Sequence, residues 1–147
     1  SKDYKMIATI LPGSTNFHAV GYNERKIAKG TARLLEIKNF GTLGTFGKPT
    51  PDELVSYLME YTSRNDRIQK AQFHVAFSCK GHEMSESEVL EFAHQYLKEM
   101  GYMEEGQPLL AYSHYDTDNT HVHIVTSRIA PDGRKIEHDN ERRLRRK

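Results

Sequence analysis

The chain has 147 residues, about one domain's worth, and its 21 Lys and Arg against 20 Asp and Glu leave a net charge of +1. Eight tyrosines and six phenylalanines exclude a wholly disordered chain. No run approaches the roughly 18 apolar residues of a membrane span, and the N-terminal SKDYKMIATIL lacks a secretory apolar stretch, so a cytoplasmic protein with no membrane segment is expected; the lone Cys79 excludes a disulfide scaffold and suits a reducing compartment.

Residues 4–11 read as a strand ended by Pro12-Gly13. Ser14, Thr15 and Asn16 are each good N-cap residues, and residues 17–29 then read as a helix stopped near Gly30. Residues 32–40 are ambiguous, and the glycine-rich stretch 41–50 is a loop. Thr50 as cap, Pro51 at the first helical position and Glu53 as partner open a helix to about Ser63.

The alternating residues 71–80 predict a strand. Ser85 and Glu88 form a second capping box, which starts a helix to about Met100 with Gly101 as its stop. Residues 108–114 and 121–129 read as two strands joined by the turn-rich 115–120, an antiparallel hairpin. The expected fold class is α+β, with a mainly antiparallel central sheet packed by helices. Seven basic against three acidic residues crowd 134–147, leaving the rest of the chain net negative. That basic, helix-prone end has no apolar stretch to close it. Residues 1–147 therefore read as one domain, the N-terminal part of a longer protein, whose end suits a polyanion.

The chemistry concentrates in His114-Tyr-Asp116-Thr-Asp-Asn-Thr-His121-Val-His123. Side chains alternate along a strand, so His121 and His123 share a face while Val122 and Ile124 face the core. A hairpin brings His114 beside them. Three neutral imidazoles leave coordination positions of a divalent metal open, as catalytic sites do, and these residues do not separate magnesium, manganese and zinc. Asp116 shares the parity of His114 and is placed either to accept a proton or to orient a ligand. In the first helix Tyr22 lies about 200° around from Val20, off the apolar stripe, at roughly 100° per residue.

His114-x-Asp116-Thr-x-x-x-His121-x-His123, followed by Ile-Val-x-x-Arg128, resembles the third motif of the relaxases, the endonucleases that nick plasmids and conjugative transposons for mobilisation and belong to the His-hydrophobe-His superfamily. Phe17-x-Ala-Val-x-Tyr22 resembles their first motif, which carries the catalytic tyrosine. The strand Phe73-His-Val-Ala-Phe-Ser78 resembles their middle motif, in which a serine contacts DNA. The resemblance spans residues 4 to about 135, with the motifs in family order, and Ser127 stands where relaxases often have Asn.

The resemblance implies a relaxase-like fold, with Tyr22 attacking a phosphodiester to give a 5′-phosphotyrosine. It implies a divalent metal on His114, His121 and His123, and Asp116 as base or orienter. The implied partner is single-stranded or hairpin DNA at a transfer origin, with Arg25, Lys26, Lys29, Ser78, Arg128 and the basic end as contacts and accessory mobilisation proteins nearby. Other readings are a rolling-circle replication initiator or single-strand transposase of the same superfamily, a metal-dependent hydrolase with a water nucleophile, and a non-catalytic DNA-binding fragment. In the transposases the tyrosine follows the histidine pair, whereas Tyr22 precedes it.

Overall fold

The computed structural model describes residues 5–137, so most of the basic end expected over 134–147 lies outside the described residues. Eight elements follow one another: β1 (Met6–Leu11), α1 (His18–Ala28), β2 (Ala32–Lys38), α2 (Pro51–Thr62), β3 (Gln72–Cys79), α3 (Glu86–Met100), β4 (Leu109–His114) and β5 (Thr120–Ser127). The strands form a single sheet in the order β1-β3-β5-β4-β2, with every pair antiparallel. This is the α+β architecture expected from the sequence. Among the described residues no helix is long and apolar enough to cross a membrane.

Strand alternation builds a core on each side of the sheet. Phe73, Val75, Phe77 and Cys79 of β3, with Val122 and Ile124 of β5, pack under Val89, Ala93, Leu97 and Met100 of α3. On the other side Leu110, Tyr112 and Val125 meet Phe17 and Val20 at α1 and Leu54 and Leu58 of α2. Each fully buried side chain of this size contributes about 1.5–3 kcal/mol of transfer free energy. The two cores make the sheet a rigid platform whose register fixes whatever its strands display.

Both capping boxes form. Thr50 Oγ1 accepts from the Glu53 amide at 3.1 Å while Glu53 Oε1 accepts from the Thr50 amide at 2.8 Å. Ser85 and Glu88 do the same at 3.2 and 2.9 Å. Gly101 ends α3 in the left-handed conformation at φ 92°, which only glycine adopts cheaply. The ambiguous 32–40 segment contains the edge strand β2, bulged between Leu34 and Glu36 where it pairs with β4.

The start of α1 differs from expectation. Its N-cap is Phe17, wholly buried and left-handed at φ 54°, with no side-chain cap bond. Ser14 Oγ still accepts from the His18 amide at 3.3 Å, and Gln72 of β3 supplies the firmer tie, its Oε1 accepting from the Ala19 amide at 2.8 Å. A tertiary contact therefore replaces the local cap, and it seats α1 directly on β3.

Candidate active site

Antiparallel register assembles the histidines. In the β4–β5 hairpin His114 pairs with His121 and Tyr112 with His123, while β3 sets Ser78 opposite His121 and Ala76 opposite His123. His114, His121 and His123 lie on the α1 side of the sheet, opposite the core residues Val122 and Ile124. His74 of β3 joins them, its Nε2 lying 2.8 Å from Nδ1 of His123. The rings of His114 and His123 stack at 3.9 Å and 6°. His121 is more peripheral, 6.4 Å from His123 between centroids, with Nε2 3.5 Å from Ser78 Oγ.

Tyr22 on α1 faces this array. Its ring centroid is 6.1 Å from His114, 6.3 Å from His123 and 6.4 Å from His74, and it remains 37% exposed. Lys26, one helical turn on, sets its ammonium 5.3 Å from the Tyr22 ring centre and ion-pairs with Asp116 in the β4–β5 turn. The Lys26 hydrogen bond holds the Asp116 carboxyl below the usual carboxylate range, and the same bond raises the lysine.

Burial keeps the imidazoles neutral. Desolvation, reinforced by neighbouring imidazoles, lowers His74 to about 4 and His123 to about 2, and desolvation together with the Lys26 ammonium lowers His114 to about 4. His121 is lowered too, mainly by burial. Neutral rings have lone pairs to offer, so the chemistry of the donor set fits a divalent metal. The ring placement is less complete: among the described residues no three His, Cys, Asp or Glu side chains are disposed to hold an ion, and His114 and His123 stand face to face.

Of the other residues expected at the site, Ser78 is at its rim beside His121 and Arg25 is exposed on α1. Arg128 is not brought to Tyr22. Its guanidinium lies 4.8 Å from the centre of the Phe73 ring and 3.5 Å from the Tyr102 hydroxyl, on the α3 side of the sheet.

Two residues escaped the sequence reading. His74 sits inside a strand pattern where it looks like any alternating polar residue. Asn23, wholly buried, carries Oδ1 2.5 Å from Nε2 of His114 and donates through Nδ2 to the Ala19 carbonyl at 2.9 Å. Beside it, buried Glu24 accepts from the Tyr112 hydroxyl at 2.9 Å and pairs with Lys48 at 3.1 Å. The helix that bears Tyr22 thus docks on the histidine strands through polar contacts.

No curated protein and no solved structure matches the chain. The family model described as relaxase, MobA/VirD2-like, nuclease domain matches residues 22–147, opening on the tyrosine that faces the histidines. The chain therefore belongs to the relaxase family and is a nuclease domain of the MobA/VirD2-like type.

Proposed function

We propose that this domain acts in the cytoplasm to nick one DNA strand at a transfer origin, with Tyr22 as the nucleophile. The observation that carries the reading is the half-exposed phenol 6.1–6.4 Å from three buried, neutral imidazoles. A phenol ordinarily ionises near pH 10, so it needs a site that disperses its charge. The Tyr22 oxygen attacks phosphorus in line, the bond to the 3′-oxygen breaks, and that oxygen leaves with a proton as a 3′-hydroxyl. The 5′-phosphate stays on Tyr22, and the ester retains the bond energy for rejoining.

His114, His121 and His123 would hold the divalent ion, whether magnesium, manganese or zinc, which when bound supplies positive charge for the phosphoryl oxygens and the departing oxygen. Lys26 lies where its ammonium stabilises the attacking phenolate and a phosphoryl oxygen. A carboxylate already satisfied by Lys26 is a weak base, which favours Asp116 as the group that orients this lysine rather than as the proton acceptor. Ser78 and Arg25 flank the site as contacts to single-stranded or hairpin DNA.

The test is incubation of the domain with manganese and a single-stranded origin oligonucleotide labelled on the 3′ side of the nick, run on a denaturing gel. A slowed protein–DNA band is expected, absent for Tyr22→Phe. Cleavage by Tyr22→Phe at the unmodified rate assigns the nucleophile to water and overturns the reading.

A further inference from the structure

A second concentration of positive charge lies at the opposite end of β3 from Ser78. Arg67, Lys70, Arg128 and Lys135 line a cavity of about 490 Å³ with Gly13, and no carboxylate is among its lining residues. Arg67, Lys70 and Lys135 are exposed. Among the described residues no carboxylate lies within ion-pair distance of any of these three. Arg67, Lys70 and Lys135, which no described carboxylate neutralises, repel one another, and the arrangement lowers its energy by taking up an anion.

The cavity is framed by the backbone rather than by drifting side chains. The Arg128 amide donates to the Ala71 carbonyl at 2.7 Å, the Ile136 amide to the Arg128 carbonyl at 2.8 Å, and the Gln72 amide to the Ser14 carbonyl at 3.2 Å. Lys135 bridges to Ile129 across the turn. Phe73 and Tyr102 hold the Arg128 guanidinium from the apolar side. Four chain segments thus meet at one concavity: Gly13, the 67–70 segment with two cations, Arg128 and Lys135.

We infer that this cavity binds backbone phosphates of the DNA strand close to the bond that Tyr22 attacks, an inference that rests on the proposed function for the identity of the partner. Lys70 lies two residues before β3 and four before His74, so the two stand no more than about 14 Å apart, the span of about four stacked nucleotides. Gln72, between them, bonds both the start of α1 and the Pro12 carbonyl beside the cavity. A phosphate gripped here sets the register of the strand across the histidine face. It also makes Lys135 the first residue of the basic end to join a DNA contact, while Arg128 stays buried against Phe73 and Tyr102.

The experiment measures fluorescence anisotropy of a labelled mixed-sequence single-stranded 30-mer in EDTA, over a salt series, for the unmodified domain, the triple variant Arg67→Gln/Lys70→Gln/Lys135→Gln, and the control Lys38→Gln on the far edge strand β2. Each phosphate contact to single-stranded DNA contributes about 0.7 to the slope of log affinity against log salt. The triple variant is expected to lose about 2 from that slope, with Lys38→Gln unchanged. An unchanged slope in the triple variant overturns the inference, as does an equal loss per charge in the control. A parallel thermal-shift series with inorganic phosphate separates a free-anion site. Stabilisation of the unmodified domain alone by phosphate, with no change in the DNA slope, also overturns it. Covalent adduct formation is read separately. A domain that forms adduct while the triple variant keeps its slope removes only the cavity, and one that forms none while the slope falls keeps the cavity and removes the nucleophile.

Discussion

Asn23 reaches from the helix that carries Tyr22 to the ring of His114, its Oδ1 2.5 Å from Nε2. Its Nδ2 is committed to the Ala19 carbonyl, so the oxygen must face the histidine, and neutral His114 must carry its proton on Nε2. One amide therefore fixes both the tautomer of a candidate ligand and the seat of the nucleophile's helix. Asn23→Leu keeps the volume and removes both bonds. It is expected to slow adduct formation about 10–100-fold, the usual cost of losing the partner of a ligand histidine. A gel time course at the unmodified rate would contradict this.

Stability at the helix starts separates a real cap from an apparent one. Thr50→Ala removes a formed capping box and is expected to cost about 1 kcal/mol in urea denaturation. Thr15→Ala, at the exposed approach to α1 where Phe17 is the cap, is expected to change stability by less than about 0.5 kcal/mol. Equal losses from the two would refute the assignment of these starts.

Acid should weaken the metal-free domain before its carboxylates titrate. His74 and His114 sit near 4 in the fold, against about 6.5 when exposed. Between those values the unfolded chain binds more protons, so stability is complete above about pH 6.5 and falls as pH drops toward 4. The slope is about 1.4 kcal/mol per pH unit for each histidine protonated only in the unfolded chain. Urea midpoints measured in EDTA from pH 7 to 4.5 check this, and His74→Gln should flatten the slope. A pH-independent midpoint would count against buried neutral imidazoles.

Cys79 is wholly buried under α3, and burial pushes its thiol up, away from the reactive thiolate. The native domain should resist maleimide at pH 7.5 for hours and react fully in 6 M guanidinium, as mass spectrometry reads directly. Prompt labelling of the native protein would show that β3 opens.

Much of this structure was legible because it follows local rules. The two capping boxes, the Gly101 stop and the period-2 pattern of β3 and β5 depend on neighbours in sequence, and each formed where expected. The hairpin that pairs His114 with His121 followed from turn chemistry. What escaped depends on distant partners. β2 is a strand because β4 offers it an edge, and the cap of α1 comes from Gln72, 53 residues away from Ala19 in sequence. Asn23 and Glu24 share the helix face of Val20 and Ile27, at the i+3 and i+4 positions, but their buried state depends on partners on β4 that nothing local announces. Arg128 read as a loose cation because nothing local announces that Phe73 and Tyr102 flank it.

The central claim is that Tyr22 becomes covalently joined to the 5′ end of the nicked strand. Trypsin releases residues 6–25 as one peptide containing a single tyrosine. After reaction with an origin oligonucleotide, nuclease trimming and tandem mass spectrometry, that peptide should carry a 5′-phosphonucleotide on Tyr22. Cleaved DNA with a free 5′-phosphate and an unmodified peptide, or the nucleotide on any other residue, would contradict the account.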